Sequence, residues 1–169
     1  MDFPKSIQMP NTNPGALVST NNPMDVGIEG EGYLKFRMAE GPFLYSRNGS
    51  LHSDGEGRLV NASGYPVMDG GQEIRLRPEG GELKIQSDGT LEHGGQEIGQ
   101  LEIVQFENPA GLERIEGGYV QSAEIDPREE RIEGPSVKQG FTEQANTNPI
   151  REMAQLISIS RAFEANQKV

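Results

Sequence analysis

Two glycine-rich stretches are the parts of this chain whose spacing could bind phosphate. The first runs Gly27-Ile-Glu-Gly30-Glu-Gly32, and the second is Gly55-Glu-Gly57. A phosphate-binding loop needs its glycines in a fixed register, a helix directly after them and, in one class, a Lys-Ser or Lys-Thr pair. Neither stretch has these features, and each contains a Glu whose charge would repel phosphate. Both are therefore interpreted as turns that connect strands.

Possible metal ligands are scattered along the chain. His52 and His93 each stand without a second His at ligand spacing, and both are expected to be exposed turn residues. Asp54-Gly-Glu56-Gly lacks the alternating oxygen ligands and the closing Glu of a calcium loop. The chain has no Cys, which removes thiolate ligands, disulfides and Cys nucleophiles together. The sequence predicts no metal site and no cofactor.

One catalytic arrangement, a pair of carboxylates, is compatible with the sequence. The chain has no Gly-x-Ser-x-Gly motif, so catalysis by an activated Ser finds no support. Glycoside hydrolysis needs only two carboxylates, and 26 acidic residues make some close pair inevitable. A small β-fold hydrolase that uses two carboxylates is therefore an alternative, although the chain has no Trp to stack on a sugar ring. The main expectation is that no residue is catalytic.

The charge balance restricts the possible partners. The chain of 169 residues has a formal net charge of −11, and 33% of its residues are hydrophobic. Nucleic acids and anionic membrane surfaces are bound mainly through Lys and Arg, so an acidic protein is repelled by both. No apolar run reaches the ~18 residues of a membrane-spanning helix, and no signal-peptide pattern is visible. We expect no nucleic-acid partner and no direct membrane insertion.

The elements that hold these side chains are expected to be short strands. From Met24 onward, short apolar runs such as Tyr33–Arg37 alternate with turns that contain Gly. Residues 98–106 are predicted to be the most hydrophobic strand, and a change of phase within it predicts a bulge or burial on both faces. Asn48-Gly49 is the strongest hairpin signal, and Asp-Gly pairs at 54, 69 and 88 repeat the turn chemistry. Closely spaced turns without interleaved helices predict an antiparallel β-structure.

The last part of the chain has the period of a helix. Asn148 suits an N-cap, and Pro149 suits the first helical position, where its missing N–H costs nothing. Apolar side chains then recur at three- and four-residue spacing among polar ones, at Ile150, Met153, Leu156, Ile157 and Phe163. A helix that is apolar on much of its circumference generally lies between several neighbours. We expect this stripe to be an assembly interface; the alternative is that it packs on the β-body of the same chain.

These patterns divide the chain into four segments. Residues 1–23 are expected to be an extended lead-in, and residues 24–125 a β-rich body of short antiparallel strands and Gly turns. Residues 126–148 are expected to be a linker and turn, with a solvated loop at the charged residues 126–134. Residues 149–169 follow as one long α-helix. The fold class predicted from the sequence is therefore mainly β with one long C-terminal α-helix.

Five groups of residues resemble the bacterial flagellar basal-body rod and hook proteins, and they follow the order of that family. They are Pro23-Met-Asp-Val-Gly-Ile-Glu-Gly-Glu-Gly-Tyr33; Leu44-Tyr-Ser-Arg-Asn-Gly-Ser-Leu51; Asp54-Gly-Glu-Gly-Arg-Leu-Val60 with Gly64-Tyr-Pro-Val67; Phe106-Glu-Asn-Pro-Ala-Gly-Leu112; and Gln139-Gly140 with Asn146-Thr-Asn148, Glu152-Met153 and Arg161-Ala-Phe-Glu164. Five groups in one order make the resemblance specific. The C-terminal group is more similar to the proximal rod members of the family, and Asn108-Pro-Ala-Gly-Leu112 to the distal ones.

The resemblance implies a structural protein without catalysis. Subunits of this family stack helically into an axial tube, with N- and C-terminal helices paired in its core and a β-rich domain further out. The implied partners are copies of the same protein and other flagellar axial proteins. The implied location is the periplasmic rod of the basal body, reached by type III export without a cleaved signal peptide. Residues 1–15 show no apolar period where the family has an N-terminal helix, and the family's C-terminal helix usually continues beyond the position of Val169. We therefore expect the parent protein to extend beyond this chain at both ends.

An alternative from another class is a secreted acidic β-module that binds carbohydrate or calcium. It would use the same acidic β-body and polar turns, and it assigns no assembly role to the C-terminal stripe. Calcium titration and a glycan panel separate it from a rod subunit.

Overall fold

The structure, a computed structural model, describes residues 15–115, 119–122 and 128–144. Within these ranges the chain forms seventeen short strands and a single 3-10 turn at Pro109–Gly111. The strands, in chain order, are β1 Leu17–Ser19, β2 Val26–Glu29, β3 Tyr33–Arg37, β4 Phe43–Ser46, β5 Leu51–Ser53, β6 Leu59–Asn61, β7 Met68–Asp69, β8 Gln72–Glu73, β9 Leu83–Ile85, β10 Thr90–His93, β11 Gln96–Gln100, β12 Ile103–Phe106, β13 Leu112–Arg114, β14 Val120–Ser122, β15 Glu129–Arg131, β16 Ser136–Gln139 and β17 Phe141–Glu143.

The strands are arranged in two sheets and four separate pairs. The larger sheet has six strands in the order β13-β14-β4-β3-β12-β15, and the smaller has three in the order β11-β10-β9. The pairs are β1-β17, β16-β2, β5-β6 and β7-β8. All of these pairings are antiparallel. The predicted antiparallel, mainly β body is confirmed, whereas the predicted helix at 149–169 lies outside the described residues.

The six-stranded sheet is buried on both faces. Leu34, Phe36 and Ile103 point into the main hydrophobic core and are fully buried. Tyr45 and Val104 belong to a second apolar cluster and are also buried. Since β3 is covered on both sides, it lacks the apolar–polar alternation of a strand with one solvated face.

The hydrophobic run at residues 98–106 is divided between the two sheets. It enters as β11 and leaves as β12, with Leu101 and Glu102 buried between them. The Leu101 N–H donates to the Gly89 carbonyl at 2.9 Å, and the Glu102 N–H donates to the Met68 carbonyl at 3.0 Å. The prediction of one strand over residues 98–106 is therefore wrong, whereas burial on both faces is confirmed for residues 101–104. Its cause is the passage of the chain from one sheet to the other.

The predicted hairpin turns are confirmed at the three Asp-Gly pairs. Asp54-Gly55 lies between β5 and β6, and Asp88-Gly89 lies between β9 and β10. Asp69 ends β7, and Gly70 begins the turn to β8. In the last turn, the Asp88 carboxylate accepts the Thr90 N–H at 3.0 Å. That bond holds the pKa of Asp88 below its ordinary value.

The predicted hairpin at Asn48-Gly49 is wrong, because β4 and β5 belong to different groups of strands. Gly49 instead lies against β2, and the Val26 N–H donates to its carbonyl at 2.9 Å. A Cβ at Gly49 would lie 1.9 Å from the Val26 carbonyl oxygen. Glycine is therefore required here for a close approach of two backbones and not for a turn.

The predicted solvated loop at residues 126–134 is wrong in its described part. Glu129–Arg131 is β15, which pairs with β12 and forms an edge of the large sheet. Ile132 packs on the core, and its N–H donates to the Ile103 carbonyl at 2.8 Å. The charged residues are accommodated because Glu129 has a cationic partner inside the fold. Strands β1, β16 and β17 likewise lie in segments expected to be irregular, and the division into domains stays a prediction.

Candidate functional site

The segments that flank the β-body meet in the strand pair β1-β17. Leu17 pairs with Glu143, and Ser19 pairs with Phe141. The ladder continues outward, where the Gln144 N–H donates to the Ala16 carbonyl at 2.9 Å. We call β1 and β17, with Gly15, Ala16 and Gln144, the terminal ribbon. Since its strands are antiparallel, Gly15 and Gln144 lie side by side at one end of the ribbon.

The terminal ribbon packs over a glycine in β2. A Cβ at Gly27 would lie 2.7 Å from Leu17 Cδ2 and 3.3 Å from Phe141 Cβ. A larger side chain at Gly27 would therefore displace both strands of the ribbon. This contact explains why position 27, in the stretch first considered as a phosphate loop, is a glycine.

The turn between β16 and β17 is fixed by Gly140. Its φ is +78°, in the left-handed region that glycine adopts without a Cβ penalty. The Gly140 N–H donates to the Asp25 carbonyl at 2.7 Å, and its carbonyl accepts the Thr20 N–H at 2.8 Å. The chain thereby leaves the partner of β2 and enters the partner of β1.

The amide of Gln139 attaches this turn to two other parts of the body. Its Nε2 donates to the Pro23 carbonyl at 2.7 Å and to the Leu83 carbonyl at 2.7 Å. Its Oε1 accepts the Ile85 N–H at 3.1 Å. One side chain thus joins the segment before β2, the edge strand β9 and the start of the ribbon.

Arg47 holds the other end of the terminal ribbon. Its Nε donates to Glu143 Oε2 at 2.5 Å, and the two side chains are 12% and 9% exposed. The other Glu143 oxygen accepts the Gly15 N–H at 2.9 Å. Arg47 Nη1 donates to the Gly32 carbonyl at 2.6 Å, and Nη2 donates to the Gly30 carbonyl at 2.8 Å. We call this arrangement the Arg47 clamp, and it joins both strands of the ribbon to the turn between β2 and β3.

A second polar cluster lies within the large sheet. The Lys35 ammonium donates to Glu102 Oε1 at 3.2 Å and also to Glu129, and the Tyr45 hydroxyl donates to Glu129 Oε2 at 2.6 Å. Burial lowers the pKa of Lys35, but its bonds to the two carboxylates outweigh burial and raise the pKa above its ordinary value. Glu102 Oε2 is buried without a hydrogen-bond partner. The described contacts of this cluster join strands and point to a structural role.

The histidines considered as metal ligands occupy different environments. His52 is exposed on β5, whereas His93 is buried at the end of β10. The expectation of exposed turn residues is confirmed for the exposure of His52 only, since both histidines lie in strands. The buried His93 Nδ1 accepts the Arg77 N–H at 2.9 Å. Within the described ranges, no group of three or more His, Asp or Glu side chains is placed to hold a metal ion.

The carboxylate of Asp54 is used within its own turn. Oδ1 accepts the N–H groups of Glu56 at 2.9 Å and Arg58 at 2.8 Å, and Oδ2 accepts Arg58 Nε at 2.7 Å. Desolvation raises the pKa of Asp54, but these bonds outweigh it and hold the pKa below its ordinary value. The turn is stabilised by these bonds, and calcium coordination would compete with them.

The residues predicted to form the assembly interface lie outside the described residues. They are the capping pair Asn148 and Pro149 and the stripe Ile150, Met153, Leu156, Ile157 and Phe163. The terminal ribbon ends shortly before them, at Gln144. Sequence patterns did not indicate the Arg47 clamp or the Lys35 cluster, since their members lie far apart in the chain. Among the described residues, no helix has the length and hydropathy needed to cross a bilayer.

Comparison with known proteins finds matches to flagellar proteins for the segments that contain Arg47 and Glu143. Residues 27–93, which include Arg47, match the family described as "Flagellar hook protein FlgE/F/G D1 domain". Residues 138–169, which include Glu143, match the family described as "Flagellar basal body rod FlgEFG protein C-terminal". The Arg47–Glu143 contact therefore joins the two matched segments.

Named relatives agree with these matches. The chain is 36% identical over 155 residues to the flagellar basal-body rod protein FlgF of Rhizobium meliloti (strain 1021), covering 90% of this chain and 64% of that protein. It is 32% identical over 165 residues to the flagellar basal-body rod protein FlgG of Buchnera aphidicola subsp. Schizaphis graminum, covering 91% of this chain and 62% of that protein. The chain thus spans less than two thirds of the length of these relatives. The resemblance carried by its motifs is confirmed, and the chain belongs to the flagellar basal-body rod and hook protein family.

Proposed function

We propose that this protein is a structural subunit of the flagellar basal-body rod, which assembles through paired terminal helices and contacts neighbouring axial proteins. The observation that carries the proposal is the terminal ribbon, which places Gly15 beside Gln144. A subunit whose N- and C-terminal helices pair in an axial core needs both segments to adjoin the body at one place. The antiparallel ribbon meets that requirement.

The apolar stripe of residues 149–169 supplies the assembly surface in this proposal. Burying each of Leu156, Ile157 and Phe163 is worth roughly 1.5–3 kcal/mol. An isolated helix of this length is marginal in water, so the segment gains its stability from packing against a partner. The partner is a terminal helix of the same subunit or of a neighbouring axial subunit.

The location and export route follow from the same proposal. The named relatives are basal-body rod proteins, which supports a place in the rod and an absence of catalysis. The route that fits is type III export without a cleaved signal peptide. The same relatives favour a rod subunit over the carbohydrate-binding or calcium-binding module, and they give the hydrolase alternative no support.

Variants of the stripe in the full-length protein, expressed from its own chromosomal locus, test the proposal. Leu156→Asp and Ile157→Asp place a charge in the proposed interface, so we expect loss of rod assembly in purified basal bodies and loss of motility. Gln155→Asp is the matched control, because it lies on the opposite side of the helix at about 100° per residue. Circular dichroism of the purified chains should show an unchanged β-body. Normal assembly and motility in the Leu156→Asp/Ile157→Asp double variant would refute the proposal.

A further inference from the structure

We propose that Arg47 fixes the direction in which the terminal segments leave the β-body, and so acts as a positioning residue for rod assembly. The inference rests on the proposed function. It assigns a role to the turn Gly30-Glu31-Gly32, which the sequence indicated only as a connection between strands.

The terminal ribbon needs an anchor at its outer end. It pairs only three residues in each strand, and a two-stranded ribbon of this kind is marginal without tertiary support. Val18 on β1 is 46% exposed, so one side of the ribbon faces solvent. The inner end is held by the backbone bonds of Gly140. The outer end, from which the terminal segments continue, is where Gly15 and Glu143 lie.

Arg47 ties this outer end to the body by directional bonds. Leu17 also contacts the body there, at Gly27, but an apolar contact constrains direction weakly. The clamp uses Nε for Glu143 and both terminal nitrogens for backbone carbonyls. Strand β17 carries the Glu143 carboxylate, and the Gly15 N–H, just before β1, donates to it. Tilting the ribbon would therefore break several bonds together.

The receiving side of the clamp is a turn whose backbone conformation depends on two glycines. Gly30 has φ +98° and Gly32 has φ +109°, conformations that side chains other than glycine rarely adopt. Their carbonyls accept from Arg47 at 2.8 Å and 2.6 Å, with the Ile28 carbonyl further away at 3.4 Å. A guanidinium presents its donors in a fixed plane, which a lysine ammonium cannot reproduce. Lysine at position 47 would therefore keep the charge and lose the geometry.

The test compares Arg47→Lys with the wild-type chain by amide hydrogen exchange. We expect protection of Gly15 and of the β1 amides to fall by at least about tenfold, since the clamp bonds are charge-assisted. Amides of Leu34 and Phe36 in the large sheet should keep their protection. Glu143→Gln should show the same pattern to a smaller extent, because it keeps the packing and removes the charge. Arg58→Lys is the matched control, since it alters an Arg–carboxylate pair in the Asp54 turn and should leave the ribbon unchanged.

Assembly of the same variants in the full-length protein completes the test. We expect Arg47→Lys to reduce rod assembly and motility, and Arg58→Lys to leave both unchanged. The inference is overturned if Arg47→Lys keeps the ribbon protected, if it exposes the large sheet equally, or if it loosens the ribbon and still assembles normally. Failure of the proposed function is distinguishable, because it would appear as normal assembly of the Leu156→Asp/Ile157→Asp variant, which leaves the clamp intact.

Discussion

The hydroxyl of Tyr45 donates a 2.6 Å hydrogen bond to the carboxylate of Glu129, and this contact joins an inner strand of the six-stranded sheet to its edge. The two residues are 84 positions apart in the chain. Glu129 also accepts from Lys35, so β15 is held to two inner strands by one carboxylate. The edge strand, although rich in charge, is therefore part of the folded sheet.

Replacing Tyr45 by Phe should lower the free energy of unfolding by about 1.5–3 kcal/mol, because a hydrogen bond to a charged partner is lost. The measurement is urea unfolding at neutral pH. Tyr119→Phe provides the comparison, since its hydroxyl lies 2.9 Å from the neutral Ser63 hydroxyl. That loss should be about 0.5–1.5 kcal/mol. Equal losses in the two variants would show that the charge of Glu129 adds nothing.

The same tyrosine should make the protein sensitive to alkaline pH. Burial raises the pKa of Tyr45, and the hydrogen bond and charge of Glu129 add to the rise. The folded state then holds the phenol proton more tightly than the unfolded state, whose pKa is about 10. The contribution of the Tyr45 phenol to the free energy of unfolding is fully present below about pH 10 and is lost as the pH rises above that value. Between about pH 9 and 11, the Tm of Tyr45→Phe should fall less steeply than that of the wild type. Parallel curves would contradict this.

Lys35→Met should destabilise the protein by about 3–5 kcal/mol, because it leaves buried carboxylates without their cation. The Lys35 and Glu102 side chains are 9% and 10% exposed, so solvent screens the pair little. Lys35→Met/Glu102→Gln should be more stable than Lys35→Met, since the second change removes an uncompensated buried charge. Chemical unfolding of Lys35→Met, Glu102→Gln and the double variant gives the coupling free energy between the two side chains. Additive losses would argue against a shared ion-pair cluster.

Gly49→Ala should destabilise the protein by about 1–3 kcal/mol or more, because the added methyl group would force β2 and residue 49 apart. A Cβ there would lie 1.9 Å from the Val26 carbonyl oxygen. Gly55→Ala is the matched control, since a Cβ at that position meets nothing within 4 Å. It should be neutral or stabilise by about 0.4–1 kcal/mol through the unfolded state. Thermal unfolding separates the two, and similar Tm values would exclude the close approach at Gly49.

Gly140→Ala tests the turn that begins the terminal ribbon. The nearest neighbour of a Cβ there is the Asn22 carbonyl oxygen at 4.0 Å, so the cost comes from the φ of +78° and not from a clash. A left-handed conformation costs an L-residue about 1–2 kcal/mol. Gly140→Asn should cost less, because Asn tolerates this region better. Hydrogen exchange of the β1 amides should rise in the order wild type, Asn, Ala, and equal exchange in the two variants would contradict the backbone explanation.

Local chemistry made much of the β-body predictable. The Asp-Gly turns at 54 and 88 form as expected, because each Asp carboxylate accepts backbone N–H groups within a few residues. The turn after Asp69 also forms, but the Asp69 carboxylate accepts the N–H of the distant Gln100. The strand at Leu83–Ile85 also alternates as expected, with Lys84 exposed between two buried neighbours. Errors arose where a residue serves a distant partner. Asn48-Gly49 has the composition of a hairpin turn, yet the glycine is needed for contact with Val26.

The sequence by itself determined the acidic, mainly β character of the chain and, through the order of its motifs, its family. Only the tertiary structure decided that Arg47 holds Glu143, 96 residues away, and that Lys35 reaches Glu129, 94 residues away. Periodicity and turn chemistry are properties of neighbouring residues, so they report the face of a strand and the place of a turn. They do not report which strands pair or in which register. Pairing depends on packing and hydrogen bonding across the whole fold, and here it places β1 beside β17.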